Sequence, residues 1–228
     1  MHSEPTVFVV DDNEAVRNSM KWLIQPLGFR VELFDSAEAF LANYHPDRSG
    51  CLVLDLRMPE MNGMELQEQL GLLHSQLPII IVSGHADVPT CVQAFRRGVF
   101  GFLEKPANEG ELLKCVGEAV AHDANMRAEL ARRLDVQTRL DGLTDREREV
   151  LQLLIAGKEV KHISAQMGVS FQTVAKHRGK LLKKMGVETD TELTRLILSV
   201  DAQVSPRSST STSHGNAAAN RFSASWST

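Results

Sequence analysis

The sequence predicts an α/β domain built on a five-stranded, doubly wound parallel sheet, followed by a helical linker and an all-α domain of four helices. Short apolar runs alternate with helical patterns through the first half. The central runs are continuously apolar, as expected when helices cover both faces of a sheet. The charge also divides the chain, because residues 1–122 carry a net charge of −8 and residues 143–200 one of +3.

Five β-α units account for the first half of the chain. Local signals mark helix starts: Asp87 precedes Pro89, and Asn108 is followed three residues later by Glu111. Repeated units of this kind are typical of doubly wound sheets. The predicted strands are residues 6–10, 30–34, 51–55, 78–84 and 99–106, and the predicted helices are residues 14–27, 36–43, 62–74, 87–97 and 108–122.

A helical pattern continues from residue 108 to residue 140, and its apolar stripe is interrupted around His122 and Asp123. We interpret residues 123–142 as a helical linker after a first domain of residues 5–122. Two interpretations of the linker remain open. It is either a solvated, charge-balanced helix with no partner or a coiled segment that pairs two copies of the chain.

Four short helical patterns follow in residues 143–200. Thr144 and Glu147 form a capping box at the start of the first. A short turn from Gly168 to Ser170 separates the second helix from the third, which is the spacing of a helix-turn-helix. The predicted helices are residues 145–156, 159–167, 171–185 and 190–199.

Composition excludes several classes of protein. Residues 201–228 are rich in Ser and Thr and are expected to be disordered. No apolar run reaches the roughly 18 residues that a membrane span needs, and the N-terminus lacks the basic region of a signal peptide. Three widely spaced cysteines favour reduced thiols over a disulfide framework or a zinc site. We therefore expect a cytoplasmic protein with no membrane partner.

Polar residues follow four predicted strands at the sheet edge where ligands gather. A strand-end aspartate such as Asp55 is, taken alone, often a turn former or a helix cap. Three carboxylates in one pocket repel each other unless a divalent cation with oxygen ligands, such as Mg²⁺, binds them. A lysine on the other side of Asp55 and a serine hydroxyl would hold anionic oxygens, which favours phosphoryl transfer onto Asp55. These residues are Asp11, Asp12, Asp55, Ser83 and Lys105.

The motifs VVDDNEAVR, VLDLRMPEMNG, IIIVSGHAD and GFLEKP resemble, in order and spacing, those of response regulator receiver domains. The resemblance covers about residues 5–122 and implies that a sensor histidine kinase phosphorylates Asp55. It implies Mg²⁺ bound by Asp12, Asp55 and the backbone carbonyl of Arg57, with Asp11 acting through water.

The same resemblance assigns a conformational switch. Ser83 and Lys105 match the switch hydroxyl and the lysine of the family, and Phe102 matches its rotating aromatic residue. Simple core packing is the alternative for Phe102. The chain departs from the family pattern at Ala107, where close relatives usually have Phe.

The third helix of the second domain is amphipathic. Val174, Leu181 and Met185 share one face, and the opposite face is polar and basic. An α-helix fits the major groove of DNA, although an ordinary solvated lysine face is the alternative. The candidate DNA-binding residues are Gln172, Thr173, Lys176, Arg178, Lys180 and Lys183.

Residues 143–187 resemble the four-helix effector domain of the LuxR/NarL/FixJ type, and residues 5–199 are similar to a FixJ/NarL-type response regulator, most like the FixJ branch. The resemblance implies binding to double-stranded DNA, a homodimer formed on phosphorylation, and RNA polymerase as a candidate partner. It makes Thr173 a phosphate contact and places Lys176 in the groove. Ala175 stands where many members have Lys.

The sequence thus predicts a DNA-binding transcription factor controlled by phosphorylation, with self-dephosphorylation as its only enzymatic activity. Three alternatives remain. A phosphatase of the haloacid-dehalogenase type would need an aspartate where Arg57 stands. A ligand-sensing quorum regulator would have its sensor domain in place of the receiver motifs. A regulator could also act by protein contacts without DNA.

Overall fold

The computed structural model describes residues 4–84 and 88–201. The predicted helix start at Asp87 and the Ser/Thr-rich tail from residue 202 lie outside the described residues. The elements of the first half are β1 (Thr6–Val10), α1 (Glu14–Ile24), β2 (Arg30–Phe34), α2 (Ala37–Asn43), β3 (Gly50–Leu54), α3 (Gly63–Leu72), β4 (Ile79–Ser83), α4 (Val88–Arg96), β5 (Gly101–Glu104) and α5 (Glu109–Asp141). They are followed by α6 (Asp145–Ile155), α7 (Val160–Met167), α8 (Phe171–Met185) and α9 (Asp190–Asp201).

The five strands form one parallel sheet in the order β2–β1–β3–β4–β5. The predicted fold class is therefore confirmed. Because β1 lies between β2 and β3, the strand order reverses beside β1. Ligands of doubly wound sheets bind beyond the carboxyl ends of the strands at this reversal. A ligand site is therefore expected at the ends of β1 and β3.

The continuously apolar strands are explained by helices on both faces of the sheet. Phe8 of β1 packs in the cluster that includes α2, α3 and α4, whereas its neighbour Val9 packs in the cluster that includes α1 and α5. Both side chains are completely buried. Successive residues of a strand point to opposite faces, so neither face of β1 can be polar.

β5 is shorter than predicted, since it spans Gly101–Glu104 and not residues 99–106. Gly98 has φ +84° and belongs to the turn that precedes the strand. Pro106 has no N–H to donate to the neighbouring strand. The strand therefore ends where Glu104 pairs with Ser83.

α5 is one continuous helix. The boundary between the two compact units of the chain falls within it, between Leu130 and Ala131. This junction lies inside the predicted linker of residues 123–142. The linker is therefore divided between the two units.

The first half of the linker is anchored to the α/β unit. Asp123 is 1% exposed, and its Oδ2 accepts a hydrogen bond of 2.9 Å from the backbone N–H of Gly50. Nε of Arg127 donates to both oxygens of Asp123, and its Nη2 donates to the carbonyl oxygens of Pro46 and Arg48. This buried polar network is the reason that the apolar stripe is interrupted at Asp123.

The second half of the linker belongs to the helical unit. Val136 is 1% exposed and packs, with Leu140, in the core of that unit. Arg139 donates from Nη1 to the carbonyl oxygen of Met185 at 2.7 Å, so it caps the C-terminus of α8. These residues are therefore not a fully solvated segment. Their contacts lie within one chain, so the linker without a partner chain and the coiled segment that pairs two copies both stay predictions.

The helical unit contains the predicted four helices. The Thr144 capping box is confirmed, because Thr144 N–H donates to Glu147 Oε2 at 3.0 Å and Glu147 N–H donates to Thr144 Oγ1 at 3.4 Å. Gly168 ends α7 in the left-handed conformation, with φ +64°. Across residues 4–84 and 88–201, the helices are all too short or too polar to cross a membrane.

Candidate phosphorylation pocket and DNA-binding face

Four adjacent strands bring the predicted pocket residues to one edge of the sheet. The ends of β1 and β3 are held together by a hydrogen bond of 2.9 Å from Asp55 N–H to the carbonyl oxygen of Val10. The ends of β4 and β5 are joined in the same way, by Lys105 N–H and the carbonyl oxygen of Ser83, also at 2.9 Å. The polar side chains converge because parallel strands end on the same side of the sheet.

The three aspartates form a compact group of oxygen donors. A carboxylate oxygen from each of Asp11, Asp12 and Asp55 lies within 4.8 Å of the others. Asp11 and Asp55 are 1% and 8% exposed, whereas Asp12 is exposed to solvent. Oxygen donors on one side of an open pocket suit a hard cation that keeps several water ligands, as Mg²⁺ does.

The loop after β3 requires glycine at Gly63. A Cβ atom there would lie 2.4 Å from the backbone oxygen of Asp55, so the loop can fold against the strand end only without a side chain at this position. Asn62 then caps α3 through its side chain, in a capping box with Glu65. The sequence Asn-Gly after the acidic strand end is thus explained by close packing of the backbone.

Lys105 bridges the two buried carboxylates. Its Nζ lies 2.5 Å from Oδ2 of Asp11 and 3.2 Å from Oδ2 of Asp55. The negative charges of both aspartates attract the ammonium between them. The predicted role of Lys105, to hold an anionic oxygen of the phosphoryl group, stays a prediction. The peptide bond from Lys105 to Pro106 is cis.

The electrostatics of the pocket are set by burial and by these contacts. Burial raises the pKa of Asp55, and the charge and hydrogen bond of Lys105 act against it. Burial works to lower the pKa of Lys105, but the hydrogen bonds and charges of Asp11 and Asp55 raise it above its usual value. The lysine is therefore kept protonated, and a further positive charge near Asp55 would favour its ionised carboxylate.

The predicted switch residues lie next to the pocket. Ser83 is 1% exposed at the carboxyl end of β4. Phe102 of β5 pairs with Ile81 and packs, partly buried, against the core on the side of α2, α3 and α4. Core packing accounts for this position, and the switch roles of Ser83 and Phe102 stay predictions.

The two faces of α8 differ as the sequence predicted. Val174, Leu181 and Met185 are completely buried in the core of the helical unit. The opposite face is solvent-exposed and carries Gln172, Lys176, Lys180 and Lys183. Thr173 is nearer the cap, where its N–H donates to Ser170 Oγ at 3.2 Å.

Arg178 has a contact that the sequence did not predict. Its Nε lies 2.8 Å from Oδ1 and 3.1 Å from Oδ2 of Asp190, at the start of α9. This ion pair joins α8 to α9. The DNA contact of Arg178 stays a prediction, and the structure gives this residue a second role in packing.

Lys184 was missed as an important residue. Its Nζ donates to Glu147 Oε2 at 2.6 Å and to the carbonyl oxygen of Gly142 at 2.9 Å. The hydrogen bond from Lys184, with that from the Thr144 backbone, lowers the pKa of the buried Glu147 to about 2. The capping box identified Glu147, but the sequence gave no signal that a lysine 37 positions later would bind it.

Comparisons with known proteins match both halves of the chain. Residues 7–117 match the response regulator receiver domain, and residues 141–197 match the bacterial regulatory proteins of the luxR family. The chain is 40% identical to transcriptional regulatory protein FixJ of Rhizobium meliloti, over 85% of this chain and 95% of that protein. It is 37% identical to transcriptional regulatory protein TdiR of Thauera aromatica, over 85% of each chain.

Solved structures give the same result. Response regulator StyR superposes with a TM-score of 0.79 at 39% identity, over 86% of this chain and 98% of that one. Full-length FixJ from B. japonicum superposes with a TM-score of 0.53 at 34% identity, over 89% and 99%. Both matched families are regulatory, so the phosphatase alternative is set aside. The chain belongs to the FixJ-type two-component response regulators, in which a receiver domain precedes a LuxR-type domain, and it is a DNA-binding transcription factor controlled by phosphorylation.

Proposed function

We propose that Asp55 is the phosphoryl acceptor and that a sensor histidine kinase is the donor. The observation that carries this proposal is the convergence of Asp11, Asp12, Asp55 and Lys105 on one pocket. An oxygen of the Asp55 carboxylate attacks phosphorus, the phosphorus–nitrogen bond of the phosphohistidine breaks, and the histidine nitrogen keeps the electron pair. The acceptor needs no base, because Asp55 reacts as a carboxylate.

The pocket residues fit Mg²⁺. Asp11, Asp12 and Asp55 supply carboxylate oxygens within reach of one ion, and we propose the carbonyl oxygen of Arg57 as a further ligand. The ion would supply positive charge that neutralises the oxygens of the transferring phosphoryl group. Lys105 holds a phosphoryl oxygen from the side of Asp55 where its ammonium lies, and we assign slow self-dephosphorylation to the same pocket.

Phosphorylation of Asp55 changes the surface of the receiver domain through two nearby residues, Ser83 and Phe102. Ser83 donates a hydrogen bond from its hydroxyl to the phosphoryl group of Asp55, and Phe102 rotates into the space that the Ser83 movement opens. The surface around residues 87–110 changes as a result, and two copies of the protein then associate. We take residues 5–122 as the receiver domain that carries out these steps.

We further propose that the exposed face of α8 binds the major groove of double-stranded DNA. Its exposed lysines supply cations for phosphates, and Gln172 supplies an amide for base edges. A dimer presents two such faces to two half-sites. The protein acts in the cytoplasm, and RNA polymerase is the partner through which bound protein would affect transcription. The proposed DNA contacts are Gln172, Thr173, Lys176, Lys180 and Lys183, with Arg178 at the margin.

The assignment of Asp55 is tested by Asp55→Asn, incubated with acetyl phosphate and Mg²⁺. Asparagine has no carboxylate to accept the phosphoryl group, so intact-mass measurement should find no phosphorylated protein. Asp35→Asn is the matched control, because Asp35 also follows a strand of this sheet but is exposed and outside the group of three aspartates. The control should be phosphorylated like the unaltered protein. Undiminished phosphorylation of the Asp55→Asn protein would overturn the assignment.

A further inference from the structure

Phe171 is an exposed aromatic residue at the first position of α8. It is 57% exposed, and it lies outside the hydrophobic cluster formed by the described residues of the helical unit. Helix formation does not account for it, since Ser170 already caps the helix and Phe is a poorer helix former than Ala. One exposed apolar residue is not unusual in itself. A functional role for this ring is indicated by its position on α8.

The ring lies at the end of α8 that meets base edges in helix-turn-helix proteins, where the N-terminal residues of the second helix make these contacts. Gln172 is the next residue, and Ala175 follows Phe171 by one helical turn. Both are exposed, as is Lys176. The first two turns of α8 thus offer an apolar ring and a methyl group beside an amide and an ammonium.

The chemistry of the ring restricts what it can contact. A phenyl group has no hydrogen-bond donor or acceptor, and the apolar feature on base edges of the major groove is the C5-methyl group of thymine. The cations at Lys180 and Lys183 complement the DNA phosphates around such a contact. We infer that Phe171 is a specificity-determining residue that packs against a thymine methyl group in each half-site. This inference rests on the proposed placement of α8 in the groove.

Removal of single methyl groups from the DNA tests the inference. The phosphorylated full-length protein first selects a duplex from a random pool. Each thymine of the selected half-site is then replaced in turn by deoxyuridine, which pairs identically but lacks the methyl group. At one position we expect affinity to fall about fourfold per half-site, the loss that corresponds to one apolar carbon. Phe171→Ala should bind the parent duplex more weakly and should bind the thymine and uracil duplexes equally well.

Control variants distinguish the possible failures. Leu198→Ala removes another exposed apolar side chain, on α9, and should keep the difference between thymine and uracil. Phe171→Leu should keep part of that difference, and thermal unfolding should show that both Phe171 variants are folded. If the Phe171→Ala protein discriminates thymine from uracil as the unaltered protein does, the inference is overturned. The same holds if Phe171→Ala binds DNA normally but fails in transcription with RNA polymerase, because the ring then serves a protein partner.

A lysine variant separates this inference from the proposed function. Suppose that Lys180→Ala weakens DNA binding and lowers its salt dependence, but that no replacement of thymine by deoxyuridine changes affinity. The inference about Phe171 is then overturned, and the placement of α8 in the groove stands. If neither Lys176→Ala nor Lys180→Ala changes binding at moderate salt, the placement of α8 in the groove is wrong, and the inference about Phe171 is overturned with it.

Discussion

The pocket at the end of the sheet and the exposed face of α8 both carry several charges, but they hold them in different ways. In the pocket, Asp11 and Asp55 are almost completely buried, and both lie within 3.2 Å of the ammonium of Lys105. On α8, Lys176 and Lys180 are exposed to solvent. The pocket is assembled from four strands, whereas the face comes from 15 consecutive residues.

This difference predicts how substitutions combine. Buried charges that share partners depend on each other, and loss of one partner leaves another uncompensated. Exposed charges are screened by water and salt, so each should contribute a small amount independently. Changes in the pocket should therefore be large and non-additive, and changes on α8 should be small and additive.

The largest effect on stability is expected for Lys105→Met. The substitution keeps an apolar side chain but leaves Asp11 and Asp55 without the ammonium between them. The free energy of unfolding should fall by about 3 kcal/mol, measured by urea denaturation in the presence of a chelator. In the Asp55→Asn background the same change should cost roughly 1 kcal/mol less, because one buried carboxylate is already gone.

Lys114→Met is the control for this measurement. Lys114 lies 3.9 Å from Glu118 on the surface of α5, and both side chains are about 60% exposed. Loss of this exposed ion pair should change the free energy of unfolding by less than about 1 kcal/mol. Equal losses of unfolding free energy for Lys105→Met and Lys114→Met would contradict the claim that buried charges contribute more than exposed ones. Strict additivity of Lys105→Met with Asp55→Asn would contradict the claim that the pocket charges depend on each other.

Smaller effects are expected on α8. Lys180→Ala should weaken binding to all DNA sequences alike and reduce the slope of log affinity against log salt by about 1, as for one phosphate contact. Lys176→Ala should mainly erase the preference for the selected site. Fluorescence anisotropy over a range of salt concentrations measures both quantities. If the double variant Lys176→Ala/Lys180→Ala loses a binding free energy that differs from the sum of the two single losses, the exposed lysines are coupled and the expected additivity is contradicted.

The sequence predicted those elements and residues that are marked by a short local motif or by a repeated pattern of apolar residues. The apolar runs predicted the strands, and the aspartates, Ser83 and Lys105 could be assigned to one edge because parallel strands end together. The capping box at Thr144 was predicted from a short motif and is confirmed. Each of these assignments depends on a few neighbouring residues or on a rule about strand direction.

Long-range polar contacts could not be predicted in the same way. Asp123 looked like a break in an apolar stripe, but it binds the backbone of Gly50, 73 residues earlier. Arg139 looked like part of a linker, but it caps α8 at Met185, 46 residues later. No periodicity relates such partners, because the folded chain alone brings them together. The contacts of Asp123 and Arg139 were not predicted for this reason.

The central claim is that phosphorylation of Asp55 controls how α8 engages DNA, and it acts by pairing two copies of the protein. Affinity for a duplex with two half-sites and for a duplex with one should be compared before and after treatment with acetyl phosphate and Mg²⁺. We predict that phosphorylation tightens binding to the two-site duplex by roughly tenfold or more, with little change on the single site.

The Asp55→Asn protein, treated identically, is the reference in the same measurement, and its affinity for both duplexes should stay at the untreated value. Tightening of the Asp55→Asn protein, or no tightening of the unaltered protein on the two-site duplex, would contradict the claim. Equal tightening on both duplexes would contradict the dimer mechanism and indicate that phosphorylation uncovers α8 in a single copy.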